Sequence, residues 1–187
     1  MESQMVIQKL GELIKLSEQQ CLDCAYAVFG CKHASKPDKC ITYAKNKKVA
    51  LLEESQYPYV GKDEQCKFEG IELNGPVVVD GNATALTPQN AQIIRRRLDD
   101  NVVLAAIDSS CILFKNYRQD ILGSSCSRTI ITDHTVLIVG YGTYTYDNGF
   151  DVDYFIIRNS WGTGWGQDGY MYLAFDENII DDGVLGI

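Results

Sequence analysis

The sequence contains only two histidines, and His134 is the one placed for chemistry. It opens an apolar run, Thr135-Val136-Leu137-Ile138-Val139, that ends in Gly140-Tyr141-Gly142. An imidazole titrates near neutrality and so can both take and give a proton, although a ring at a strand start is equally able to serve as a packed side chain. A second polar block, Asn159-Ser160-Trp161-Gly162, follows the next extended run. The third resource is sulfur. There are seven cysteines, an odd number that leaves at least one thiol outside any disulfide framework. Cys21-x-x-Cys24, Cys31-x-His33 and Cys40 could hold zinc, since thiolate and imidazole suit that metal, but their spacings are irregular. A redox reading of Cys21-x-x-Cys24 lacks the βαβ pattern that would surround it.

The elements that must position these residues fall into two parts. Residues 1–75 read as helical and charged, and residues 76–187 carry most of the β-branched and aromatic runs, which sets a boundary near Asn74-Gly75-Pro76. In the first part Met5, Leu10, Leu13 and Ile14 mark an apolar side. Ser17 with Gln20 has the spacing of a capping box, which predicts a helix after Ser17. Pro37 suits a first helical turn, and the Lys45–Lys48 cluster suits a helix carboxyl end and a solvated face. In the second part Thr87-Pro88 reads as a cap and first turn for a helix through Ala91, Ile94 and Leu98. Strands are expected over Pro76–Val79, Val102–Ile107, His134–Tyr141, Tyr154–Ile157 and Tyr170–Phe175. The predicted class is α+β, with a small antiparallel sheet or barrel in the second lobe.

Composition removes several functions. The chain has 187 residues, 45% of them hydrophobic and 22% charged, which is globular and not disordered. A net charge of -8 disfavours nucleic acid and anionic lipid as partners. No apolar run is long enough to cross a bilayer. Met1-Glu2-Ser3-Gln4-Met5 lacks the basic flank and apolar core of a secretory signal, so a cytoplasmic, reducing location is expected, or a lysosomal or secreted one if an upstream segment exists.

Asp133-His134-Thr135-Val136-Leu137-Ile138-Val139-Gly140-Tyr141-Gly142, followed by Arg158-Asn159-Ser160-Trp161-Gly162-Thr163-Gly164-Trp165-Gly166, resembles the His and Asn blocks of the papain-like cysteine peptidases. Leu16-Ser17-Glu18-Gln19-Gln20, Asp23-Cys24, Gly30-Cys31, Glu54-Ser55-Gln56-Tyr57-Pro58-Tyr59 and Cys66-Lys67-Phe68 look like landmarks of the cathepsin L-like branch, so the resemblance covers essentially the whole chain. It implies a papain-like two-lobed fold, with a truncated helical lobe and an antiparallel, β-barrel-like second lobe. It also implies that His134 is the base, that Asn159 orients it, and that Trp161 covers the Asn amide and keeps water from the bond between them. No cofactor or metal is implied.

The nucleophile has no counterpart. The family places its Cys roughly 130 to 150 residues before the His, which projects to position 4 or upstream of Met1, and positions 1 to 4 hold no Cys. Met1-Glu2-Ser3-Gln4 resembles the middle of the family's central helix, so the catalytic Cys and the Gln of the oxyanion hole are both expected to be missing. After Gly30-Cys31 the family usually has Asn-Gly-Gly, where Lys32-His33-Ala34-Ser35 stands here. Of the usual disulfides the resemblance retains one, Cys24 with Cys66. Cys31 and Cys126 are left without partners, and Cys21, Cys40 and Cys111 are additions, so at least five free thiols are expected.

The sequence therefore predicts a catalytically inactive papain-like pseudoenzyme that acts as a structural or interaction subunit. Its partner would be a protein covering the truncated face between the lobes around Met5, Val6 and Trp161. The alternative is an incomplete piece of an active papain-like cysteine endopeptidase.

Overall fold

The computed structural model describes residues 1–25, 31, 38–68, 75, 77, 79, 84–86, 90–123 and 133–175. Lys32–Ser35, Pro37, Thr87-Pro88 and Cys126, on which sequence expectations rest, lie outside them. Contacts divide the chain into two units, Met1–Ala85 and Leu86–Ile187. The boundary falls beyond Asn74–Pro76 because Val77 belongs with the first unit, where its carbonyl accepts the Leu51 amide.

The first unit holds α1 (Glu2–Ile7), α2 (Glu18–Cys24) and α3 (Asp38–Lys47). The apolar side expected through Leu10 and Leu13 does not continue as helix. Lys9 adopts φ 54°, which breaks the turn, and Leu10 and Leu13 are 69% and 66% exposed. Ser17 caps α2 by accepting the Gln20 amide at 2.9 Å. The reciprocal half of a capping box is absent, because the Ser17 amide goes to Leu52 O and the buried Gln20 carboxamide bridges Ala50 O and the Leu52 amide. A buried amide must find both donor and acceptor partners, and here that need ties α2 to the 50–52 segment. Gly75 is confined by the same segment: a Cβ there would stand 2.4 Å from Leu51 O. Of the strand expected over Pro76–Val79, Val77 and Val79 lie among the described residues, and Val77 makes an isolated bridge to Leu51.

In the second unit β1 (Val103–Ile107), β2 (Ile121–Leu122), β3 (His134–Thr145), β4 (Asp151–Arg158) and β5 (Tyr170–Ala174) form one sheet in the order β1-β3-β4-β5-β2. All pairs are antiparallel except β2 with β5. Helix α4 (Ala91–Leu98) is capped by Asn90, whose side chain accepts the Ile93 amide. The short α5 (Ile112–Lys115) carries Phe114 into the core. Ile107, Phe114, Val136, Ile138, Phe155, Ile157, Met171 and Leu173 form that core. A register shift between Ile138 and Gly140 exchanges the two faces of β3 for the rest of its length.

Candidate active site

Antiparallel pairing places the start of one strand beside the end of its neighbour, and this brings the two sequence blocks together. His134 begins β3 opposite Ile107 of β1. Asn159 directly follows Arg158, the last residue of β4, which pairs with Leu137. Asn159 is only 8% exposed, and its amide donates to Gly169 O. The 159–169 loop closes on itself through Gly169 N to Trp165 O and Trp165 N to Gly162 O. Gly166 is required in that loop, because it has φ 59° and a Cβ would stand 2.3 Å from Tyr170 O.

His134 Nε2 lies 2.8 Å from Asn159 Oδ1. The same oxygen accepts the Ser160 amide at 2.7 Å. A backbone N–H can only donate, so that atom is the carboxamide oxygen, and Nε2 must carry the hydrogen that points at it. In the neutral ring the basic lone pair is therefore on Nδ1. Among the described residues Asn159 Nδ2 is buried without a partner, which costs about 1–3 kcal/mol and marks a carboxamide held for its oxygen.

Aromatic rings enclose the pair. The Trp161 indole lies 5.1 Å from the imidazole at 32° while remaining 41% exposed. Phe114 is fully buried and stands 5.3 Å from Trp161, 5.1 Å from Trp165 and 6.2 Å from His134. Trp165 Nε1 donates to Phe114 O at 3.1 Å, so one hydrogen bond locks α5 to the 159–169 loop. Sequence reasoning gave Phe114 no role because α5 is a single turn, too short for periodicity to reveal. Trp165 stood within the quoted block without a role of its own. Beside the imidazole, the Ser109 amide at 2.7 Å chiefly, together with the His134 charge, holds the Asp133 carboxyl below its usual range.

The cysteines depart from the expectation of free thiols. Cys21 is bonded to Cys40, with Cα atoms 5.3 Å apart, and Cys24 to Cys66, at 4.8 Å. Cys111 is also disulfide-bonded. The residues read as additions are therefore cross-links, because α2 and α3 bring Cys21 and Cys40 within bonding reach. The zinc reading of Cys21, Cys24 and Cys40 falls with them, and among the described residues no cluster of three ligating side chains is placed to hold a metal. Among these residues Cys31 is the free thiol, and it is exposed. Desolvation first, then the hydrogen bond and charge of Asp63, push its pKa up. Among the described residues no helix is long and apolar enough to cross a membrane.

The family model for papain family cysteine proteases matches residues 1–185. Zingipain-2 of Zingiber officinale is 33% identical over 178 residues, which are 95% of this chain and 74% of that protein. A cathepsin L-like protein of Caenorhabditis elegans is 35% identical over 91% of this chain, which spans 49% of its length. Among solved structures, the Carica candamarcensis cysteine protease CMS1MS2 in complex with E-64 matches at a TM-score of 0.79, with 32% identity over 97% of this chain and 78% of that one. The bromelain protease of Ananas comosus, with the E64 inhibitor, matches at 0.77, with 29% identity over the whole of this chain and 80% of that one. With the His134–Asn159 geometry, these matches lead to one conclusion: the chain belongs to the papain family of cysteine proteases.

Proposed function

We propose that these 187 residues act as a catalytically inactive papain-type module, an interaction subunit of a protein assembly that keeps the proton-handling half of a peptidase site. The observation that carries this reading is the state of the thiols. Among the described residues every cysteine but Cys31 is disulfide-bonded, and the raised pKa of Cys31 disfavours the thiolate. Peptide hydrolysis of this class begins when a thiolate forms a bond to the scissile carbonyl carbon. The imidazolium then gives its Nδ1 proton to the leaving amine as the C–N bond breaks, and water, giving a proton back to Nδ1, cleaves the thioester. His134 and Asn159 are arranged for both proton transfers, but among the described residues no cysteine other than Cys31 is free to form the first bond.

The second reading is an active cysteine endopeptidase of which these residues are a part. The intact His134–Asn159 bond beneath Trp161 favours it, and a thiol from outside these residues would complete it. Purified chain is therefore assayed with fluorogenic dipeptide substrates and a thiol-reactive active-site probe under reducing, mildly acidic conditions. No turnover and no stoichiometric labelling are expected, and labelling that depends on His134 would overturn the inactive reading. Reading the transcript upstream of Met1 separates the alternatives, because an in-frame Gln-x-x-x-Cys-Gly-Ser-Cys-Trp would restore the enzyme.

Exposed Val6, Ile7, Leu10 and Leu13 support a protein partner over the amino-terminal segment, and the net charge of -8 speaks against nucleic acid or an anionic membrane. The disulfides support an oxidising location, lysosomal or secreted, in place of the cytoplasmic one expected from the amino-terminal sequence.

A further inference from the structure

The β3–β4 hairpin runs well past the strands beside it. β1 pairs with β3 only as far as Ile138, whereas β3 continues paired with β4 to Thr145. Among the described residues no strand pairs the outer edge of Gly140–Thr145. Near Tyr141 that edge is covered by α4, since the Tyr141 hydroxyl donates to Asp99 and the Arg95 guanidinium lies over the ring. From Thr143 to Tyr146 it is exposed. A sheet edge left open in this way is a template for another strand, because its unpaired N–H and C=O groups can accept one.

The two faces of this edge differ, and the pairing shows how. Thr143 stands opposite Asp153 and Thr145 opposite Asp151, so threonines and carboxylates share one face. Tyr144 stands opposite Val152 on the other face, and Tyr144 and Tyr146 meet edge to face at 4.9 Å. Tyr144 is 51% exposed and Phe150, in the turn, 63%. Asp153 accepts the Thr143 hydroxyl, and among the described residues neither Asp151, Asp153 nor Asp147 has an ion pair. Among the described residues the hairpin thus offers an open backbone edge, carboxylates without an ion pair beyond the reach of the Arg95–Tyr141 contact, and half-exposed tyrosines on the other face.

We propose that the outer edge of β3 from Thr143 to Tyr146 binds an extended segment of a partner protein whose residues alternate basic and apolar. Added as a strand, such a segment turns every second side chain toward Asp151 and Asp153 and the others over Tyr144. Arginine fits the anionic face best, since its guanidinium also packs on aromatic rings. The inference is independent of whether the His134 site is active, because it is read by binding without turnover.

The test uses the full chain and a short blocked peptide alternating Arg and Val, followed by fluorescence anisotropy. Saturable binding is expected, with the combined Asp151→Asn and Asp153→Asn variant weakened about tenfold and the wild-type affinity falling with salt. The same peptide N-methylated at alternate backbone nitrogens cannot complete a ladder and should not bind. A Glu/Val peptide that binds equally, an N-methylated peptide that binds equally, or no saturable binding of the Arg/Val peptide would each overturn the proposal. Circular dichroism on the variant verifies that its sheet is intact.

Discussion

Asn159 Oδ1 accepts two hydrogen bonds at once, from His134 Nε2 at 2.8 Å and from the Ser160 amide at 2.7 Å. The second fixes the identity of the atom and the first then fixes the imidazole tautomer, so a backbone group two bonds removed determines that Nδ1 is the basic nitrogen. Nitrogen NMR of the neutral ring should show a protonated Nε2 and a bare Nδ1. Asn159→Ala should let the tautomers mix, and a wild-type ring already in the Nδ1–H form would contradict the geometry.

Phe114 supports the same site from a different element. Its ring is fully buried among Trp161, Trp165 and His134, and its carbonyl accepts the Trp165 indole. Phe114→Ala should lower unfolding stability by about 3–5 kcal/mol, as large-to-small changes in closed cores do. Near-ultraviolet circular dichroism should lose tryptophan intensity in parallel. A change under about 1 kcal/mol would mean that the ring is not part of the core.

His134 and Asn159 were legible because each sits in a block whose glycines and aromatics are as distinctive as the polar residue. The strands from Val103 to Ala174 were legible by β-branched and aromatic runs, although β3 extends to Thr145 and β4 begins at Asp151, since exposed Thr and Tyr pair well and aspartates tolerate an edge. The turn α5 and the two-residue β2 were not, being too short to show a period. Ser17 was read correctly as a cap, but its Gln20 partner serves the 50–52 backbone, a long-range demand that local spacing does not contain. The thiols were misread for a similar reason. Cys21 and Cys40 are 19 residues apart in sequence and meet only once two helices pack.

That packing predicts the thiol count of native, oxidised protein. Five of the seven cysteines are bonded among the described residues, so titration on denatured, unreduced material should find no more than two thiols. Peptide mapping should recover Cys21 linked to Cys40 and Cys24 linked to Cys66. Five or more thiols would return the chain to a reducing compartment. The Cys24–Cys66 bond spans 42 residues, and the chain-entropy model gives it about 4 kcal/mol, so Cys24→Ser should be the more costly single thiol substitution than Cys31→Ser.

Cys31 gives a sharper electrostatic test. Asp63 Oδ1 accepts the Cys31 amide at 2.6 Å, and after desolvation the carboxylate is what raises the thiol pKa. Alkylation at pH 8 should therefore be slower than for an unperturbed thiol. Asp63→Asn should speed it and move the midpoint of the pH–rate curve downward, since removing a negative charge favours the thiolate. Unchanged kinetics would show that the carboxylate does not act on the sulfur.

Tyr57 carries the same logic into the core of the first unit. It is 1% exposed, its hydroxyl donates to Asp23 Oδ2 at 2.7 Å, and burial, with that hydrogen bond to an anion, pushes its pKa up to about 12. Asp23 in turn accepts the Gln19 carboxamide and the Glu64 amide, so ionising Tyr57 would set two negative charges together at the joint of α2 with the 57–64 segment. Because the folded value lies above the unfolded one, Tyr57 contributes stability that is complete below about pH 10 and is lost as pH rises toward about 12. Spectrophotometric titration should show Tyr57 among the last of the eleven tyrosines to ionise, together with unfolding of the first unit. In Asp23→Asn the neutral carboxamide still accepts the hydroxyl while the charge is gone, so the Tyr57 value should fall and alkaline stability should improve relative to neutral pH. If Asp23→Asn leaves the titration where it was, burial alone sets the shift and the Asp23 charge plays no part.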